Sequence, residues 1–213
     1  MKLLASGRDA DVYALDANRV LRRYRRGGDA AAEAELMGHV ARHAFPVPEV
    51  YQAKGPNLVM ERLSGRTLQA ALRAGDAEPG LAGRLLADLH ARLHRVPGRQ
   101  GDKAQRVLHL DLRPETVVLT PKGPVVVDWT RAGEGLPDLD VAATAVALGQ
   151  VAVGGQAGDA ALARAVLPVF LAAAGGNPVR LVEQALALRG ADPNLTVRES
   201  VDLSEAAALV RRT

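Results

Sequence analysis

The 213-residue chain contains no cysteine. That excludes a disulfide framework, thiolate zinc or iron–sulfur centres and a cysteine nucleophile. Aromatic residues are scarce at 3%, with one Trp, three Tyr and two Phe, so few rings are available to stack on bases. The longest unbroken apolar run, 165–174, is ten residues with Pro168 inside it, short of the ~18 expected of a membrane span. The stretch 141–158 goes longer without charge, but Thr144, Gln150, Gln156 and four glycines make it a poor span. Met1-Lys2-Leu3-Leu4-Ala5 opens like a leader peptide, and Arg8, Asp9 and Asp11 end its apolar stretch too early. No G-x-S-x-G elbow occurs, which leaves a serine hydrolase without support. Together these absences predict a chain with no membrane partner, expected in the cytoplasm.

An excess of one charge is lacking as well. Lys and Arg number 27 against 24 Asp and Glu, a formal net charge of +3. The balance is ten against eight in 1–63, eleven against nine in 64–138 and six against seven in 139–213. Nucleic-acid binders concentrate basic charge on one face. The one dense cluster here is Arg22, Arg23, Arg25 and Arg26, so the sequence argues against a nucleic-acid partner.

What the chain does have is 48% hydrophobic residues, 24% charged residues and a mean hydropathy of −0.01, enough apolar material for a globular core. Its first third reads as short strands over 2–5, 11–15 and 19–24, punctuated by Ser6-Gly7-Arg8-Asp9 and Asp16-Ala17-Asn18. After Gly27-Gly28, Asp29 is a good N-cap for a helix to about His43. Strands follow over 49–53 and 58–63. From Ser64-Gly65 onward helical spacing dominates, first over 67–74 and then over 80–94, where Leu81, Leu85, Leu86, Leu89 and Leu93 repeat at helical intervals. A β-rich island covers 107–110, 117–120 and 125–129. Four Ala/Leu-rich helices are expected after Leu139, broken at Gly154-Gly155, at 175–178 and at 192–194. The pattern predicts a β-rich lobe over 1–63 and a larger helical lobe over 64–213.

The chemistry-bearing stretch is HLDLRPETVVL (109–119), followed by VVVDWTRAGEG (125–135). Asp111 and Asp128 lie 17 residues apart around a strand hairpin that can bring two carboxylates to one cleft. Phosphoryl transfer needs such a pair, one to orient and deprotonate a hydroxyl and one to hold Mg²⁺ against nucleotide phosphates. Arg113 can neutralise charge on the transferred group. His90 and His94 are four apart on one helix face, without the H-E-x-x-H pattern of a zinc site.

The block resembles the H-R-D-L-K-P-E-N and D-F-G motifs of protein kinases. It is more similar to the aminoglycoside phosphotransferase/choline kinase family, whose members commonly show H-G-D-L-H-P-x-N and then a strand ending in D-W or D-F. Downstream, GLPDLDVA (135–142) resembles that family's G-x-P-x-x-D-x-A. The resemblance implies a two-lobed, protein-kinase-like α+β fold with a small antiparallel β-lobe and a larger mainly helical lobe. It implies transfer of the γ-phosphoryl group of ATP or GTP, with Mg²⁺, to a hydroxyl of a small-molecule acceptor such as a sugar, an amino alcohol or an aminoglycoside-like compound. Asp111 would be the base and Asp128 the principal metal ligand. Thr116, in the family's asparagine position, would be a possible second ligand. His109 and Asp140 would support the catalytic loop. Ser6 and Gly7 stand in the phosphate-covering loop, Arg22 would contact phosphates, and Glu33 or its rival Glu35 would orient Arg22. The two glutamates are about 200° apart around a helix, and the family's spacing favours Glu33. Met60, Glu61 and Leu63 resemble the adenine-binding hinge, acting through their main chain. Two departures stand out: Thr116 for asparagine, and Leu110 for the glycine before Asp111. With the depleted glycine loop, Thr116 keeps a second reading open, a pseudokinase that binds a nucleotide or metabolite with little or no catalysis.

Overall fold

A computed structural model describes residues 1–27, 29–99, 101–193 and 195–213. The expected breaks at Gly28 and Asn194 fall on positions outside the described residues. The chain runs β1 (Lys2–Ser6), β2 (Ala10–Ala14), β3 (Arg19–Tyr24), α1 (Ala30–Arg42), β4 (Val50–Lys54) and β5 (Asn57–Glu61). It continues with β6 (Arg66–Thr67), α2 (Leu68–Ala74), α3 (Pro79–Leu93), β7 (Arg106–Leu108), β8 (Val117–Thr120), β9 (Gly123–Val126) and β10 (Gly133–Gly135). The last four helices are α4 (Pro137–Gly154), α5 (Ala157–Ala174), α6 (Val182–Gly190) and α7 (Val197–Arg212). This is the expected α+β class.

The chain forms two compact units, one of residues 1–66 with 118–130 and the other of residues 67–117 with 131–213. In the first, β1 to β5 make an antiparallel sheet in the order β1-β2-β3-β5-β4. Helix α1 begins where its N-cap does: the Asp29 carboxylate accepts the Ala31 N–H at 2.9 Å, satisfying one of the orphan donors of a helix start. Its buried face, Leu36, Met37 and Val40, carries Glu33 along with it. Compared with the expected boundary at 63, the first unit also takes in 118–130. Three contacts within the unit account for this. The Val126 N–H donates to the Pro46 carbonyl at 2.9 Å, Phe45 packs edge-on against Trp129 with centroids 5.7 Å apart, and the Trp129 N–H reaches Glu33. At Gly65 the backbone has φ 157°, and an added Cβ would lie 2.1 Å from the Leu119 carbonyl oxygen, so only glycine fits there.

In the second unit α5 packs on both α3 and α4, with α6 and α7 against α4. Gly83 lets α3 approach α5 closely, since a Cβ there would come within 2.9 Å of the Phe170 nitrogen and the Val166 carbonyl oxygen. Leu81, expected in the core, is 59% exposed; the helical stripe that α3 buries runs through Ala82, Leu86, Leu89 and Leu93. Helix α5 is long and apolar enough by composition to cross a bilayer. In this structure it packs a face of Ala160, Ala163, Val166, Leu167 and Phe170 into the helical core. β10 pairs antiparallel with β7, a short ladder that the sequence did not announce.

Candidate functional site

In the first unit the residues expected to handle nucleotide converge on Arg22. Alternation along β3 puts Arg22 on the same buried face as Val20, and Arg22 ends only 6% exposed. Its guanidinium donates to Glu33 Oε1 at 2.7 Å, to Asp128 Oδ1 at 2.5 Å and to Thr130 Oγ1 at 2.8 Å. Thr130 in turn donates to Asp128 Oδ1 at 2.8 Å, and Tyr24 offers its ring 5.0 Å from the guanidinium carbon. Glu33, not the exposed Glu35, is the partner. Burial pushes the Glu33 carboxyl up, against the downward pull of Arg22. Its Oε1 also accepts the Trp129 N–H at 3.0 Å, while its buried Oε2 has no hydrogen-bond partner. The pairing of Arg22 with Asp128 was not expected from the sequence, where Arg22 was read as a phosphate contact.

Ser6 and Gly7 sit on the exposed β1–β2 turn. The Gly7 N–H closes that turn on the Ala10 carbonyl at 2.9 Å. The Ser6 hydroxyl donates to Asp11 Oδ1 at 2.7 Å and accepts from Arg25. Bonds from Arg25 and then Ser6 hold the Asp11 carboxyl below its usual range. Met60 and Glu61 end β5; the Glu61 N–H is taken by the Glu49 carbonyl at 2.8 Å, so of that residue's amide pair the sheet edge uses the donor. Leu63 lies just beyond the strand, half-buried.

The second unit holds the loop around Asp111, braced from two helices. Asp140 and Thr144 lie four apart on α4, hence on one face. Asp140, fully buried, accepts the Leu110 N–H at 2.7 Å and the His109 N–H at 3.1 Å. Thr144 donates to the Leu112 carbonyl at 2.7 Å. From α3, His94 donates to Asp140 Oδ2 at 3.0 Å, His90 Nδ1 stands 3.3 Å from the same oxygen, and His90 Nε2 bonds Thr144 at 2.9 Å. Burial alone would raise the Asp140 carboxyl; attraction to His90 and bonds from both histidines overcome that and hold it well below the carboxylate range. His90, His94 and Asp140 bring their donor atoms within 4.8 Å of one another, and here those atoms serve one another and the loop. His109, also fully buried, accepts the Asp111 N–H at Nδ1.

This bracing holds Leu110 at φ 61°, a left-handed backbone costly for a side chain of L configuration. That conformation is why a glycine suits the position. Asp128 has the same hand, φ 65°, which aspartate tolerates better. Thr116 is turned into the loop and 3% exposed. Its hydroxyl accepts the Arg113 N–H at 3.0 Å and lies 3.0 Å from the carbonyls of Asp111 and Arg113. The sole hydroxyl proton is thus used inside the loop, and the oxygen closes it.

Asp111 Oδ1 lies 3.1 Å from Arg113 Nε and 3.8 Å from Arg189 Nη1. Beside it opens a cavity of about 190 Å³ lined by Leu110, Asp111, Arg131, Ala143, Ala147, Ala185, Leu188 and Arg189. Asp192 pairs with Arg131 at 2.5 Å and lies 3.8 Å from Arg189. The helix break expected at 192–194 thus carries the counter-charge of this wall. Arg131, Arg189, Thr130 and the two α3 histidines are the site-lining or site-bracing residues that motif reading missed.

Residues 1–106 match the model of the phosphotransferase enzyme family, just under half of the chain. No curated protein matches the sequence. Among solved structures, a thermostable variant of aminoglycoside phosphotransferase APH(4)-Ia in ternary complex with AMP-PNP and hygromycin B superposes with a TM-score of 0.66 at 15% identity, covering 98% of this chain and 92% of that one. The gentamicin complex of APH(2")-IIa gives 0.61 at 13% identity, with 98% and 93% covered. A choline/ethanolamine kinase family protein from Mesorhizobium loti gives 0.60 at 14% identity, with 100% and 86% covered.

Proposed function

The fold is that of the aminoglycoside phosphotransferases and their choline-kinase-like relatives, and from that premise we propose that the protein is a small-molecule kinase moving the γ-phosphoryl group of ATP or GTP to an acceptor hydroxyl. The observation that carries this reading is the Asp111 loop, fixed by Asp140 and Thr144 and opening on a cavity of acceptor size. Asp111 orients the hydroxyl and takes its proton as the oxygen attacks. Arg113, 3.1 Å from that carboxylate, offsets charge on the phosphoryl group in transit. Such catalysis consists mainly of positioning and electrostatics, and rigid bracing of the base serves it.

Arg22, with Glu33 fixing its geometry, is assigned to the nucleotide phosphates. Ser6 and Gly7 cover them, and the main chain of Met60, Glu61 and Leu63 takes the base. A bound Mg²⁺ would neutralise phosphate charge. Asp128 suits it, being a hard oxygen donor that already binds one cation-bearing group, Arg22. Thr116, spent within its loop, suits it less. The cytoplasm, where nucleotide is available, is the proposed location. The Asp128–Arg22 bond also favours a second reading, a nucleotide-holding pseudokinase in which that carboxylate serves Arg22 alone.

Calorimetric titration with AMP-PNP separates the two. For the kinase, Mg²⁺ strengthens binding at least about tenfold, roughly 1.4 kcal/mol, and Asp128→Ala abolishes the enhancement. Binding indifferent to Mg²⁺ supports the pseudokinase. No binding of ATP or GTP analogues sinks both.

A further inference from the structure

The acceptor cavity is small and carries the wrong sign for a polycation. Its volume, about 190 Å³, holds about six waters at roughly 30 Å³ each, well under the ~300–1,000 Å³ of pockets for drug-sized ligands. Five of its eight wall residues are apolar: Leu110, Ala143, Ala147, Ala185 and Leu188. The three charged ones are Asp111, Arg131 and Arg189. Asp111 is already flanked by Arg113 and Arg189, and Asp192 serves Arg131 and Arg189 together. Of the charged groups on the wall itself, two are guanidiniums and one is the carboxylate of the base, while Arg113 behind it is shared between Asp111 and Glu115.

An ammonium entering here would meet two arginines and find only the catalytic aspartate to pair with. A neutral polyol would leave most of its hydroxyls against alanine and leucine, unpaired, which is costly. A single anionic group is what the wall lacks. Guanidinium receives carboxylate or phosphate oxygens through paired N–H donors, and Arg189 is held for that role by its Nε bond to Gln150 at 3.0 Å. Burial and the neighbouring Arg113 lower the Arg189 pKa, and an anion arriving beside it would relieve both.

Resting on the phosphotransferase reading, we infer that the acceptor is a short hydroxylated anion. Its carboxylate or phosphate pairs with Arg189 and Arg131, its apolar body lies on Ala143, Ala147, Ala185 and Leu188, and its hydroxyl reaches Asp111. The 3.8 Å between Arg189 Nη1 and Asp111 Oδ1 puts anion and hydroxyl within a few bonds of each other. In the reaction the acceptor oxygen forms a bond to the γ-phosphorus, the bond from that phosphorus to the bridging oxygen of the nucleotide breaks, the hydroxyl proton passes to Asp111, and the nucleoside diphosphate leaves.

The test is a coupled assay of nucleoside diphosphate release with the unaltered protein, ATP and Mg²⁺. The panel is three- to six-carbon hydroxy acids and sugar-alcohol monophosphates, each beside its neutral amide or polyol and its amine of equal length, with hygromycin B as the polycation. The inference expects at least one acid or monophosphate to exceed its neutral and cationic counterparts at least about tenfold in kcat/KM, and Arg189→Gln to shrink that preference to within about threefold. The carboxylate and phosphate arms distinguish the two sources of the anion. If no anion leads, because amines or amides lead or because no compound in the panel is turned over, the inference is overturned. AMP-PNP titration on the same sample keeps the outcomes apart: Mg²⁺-dependent binding with no preference for an anion overturns the acceptor class alone, and absence of nucleotide binding overturns the underlying reading with it.

Discussion

At the scale of single residues, Thr116 shows how one substitution can keep a loop and change its duty. The hydroxyl takes the Arg113 N–H and approaches two loop carbonyls, so the loop closes without a carboxamide. Replacing it with valine keeps the shape and strands these groups in a buried place. Thr116→Val should cost about 1–3 kcal/mol and lower turnover. Thr116→Asn, whose amide both accepts and donates, should hold stability and preserve or raise turnover. Urea unfolding and steady-state rates read both variants. A fully stable Thr116→Val would show that the hydroxyl is not the closing bond, and a collapse of activity in Thr116→Asn would show that a carboxamide cannot take its place.

At the scale of elements, the Asp111 loop is a strained piece held by two helices. Leu110 keeps its left-handed backbone because Asp140 takes its N–H. Leu110→Gly removes a penalty of about 1–2 kcal/mol, offset by roughly 0.5–1 kcal/mol of added freedom in the unfolded chain. The variant should be as stable as the natural protein or about 1 kcal/mol more so. Since Leu110 also walls the cavity, it should turn over longer hydroxy acids; a thermal melt and the acceptor panel check this, and a marked loss of stability contradicts the strain. Much of this scale was legible in the sequence. Asp29 announced the start of α1, and the turn residues marked β1 to β5, because caps and turns are local. The H-L-D-L-R-P-E-T block gave the loop, and the α3 histidines stood out only as a pair on one helix face. Their bonds to Asp140 were not readable, since 46 to 50 residues separate partners brought together only by helix packing. Arg189 was invisible for the same reason: it stands alone on a nine-residue helix, and only its distance from Asp111 gives it meaning. The β7–β10 ladder escaped because Gly133-Glu134-Gly135 has neither alternation nor length.

At the scale of the whole molecule, two buried carboxyls give stability opposite slopes with pH. Asp140 is depressed below the usual 3.8, so its contribution is complete above that pH and is lost as pH falls through the folded value. Glu33 is raised above 4.5, so the folded state holds its proton longer than the unfolded one. From pH 4.5 upward that group makes the protein less stable until its folded pKa is passed. Denaturant midpoints from pH 2.5 to 8 should rise and then lose ground, and Glu33→Gln should flatten only the second limb. Equal slopes above pH 4.5 in both proteins would remove Glu33 from the account. Whole-chain similarity likewise divides unevenly. The family model matches 1–106, where single motifs are weakest. The motif-rich block at 109–142 lies past that match and is joined to the same fold by structure.

Helix α4 also ties two properties together. It turns Asp140 and Thr144 to the Asp111 loop and Ala143 and Ala147 to the cavity, so bulk added on its cavity side presses on the element that holds Asp111. Ala185 and Leu188, on α6, share the cavity and supply none of the hydrogen bonds that brace the loop. Descendants of this protein that acquire new acceptors would therefore be expected to diverge on α6 first, leaving α4 as the inherited part of the design.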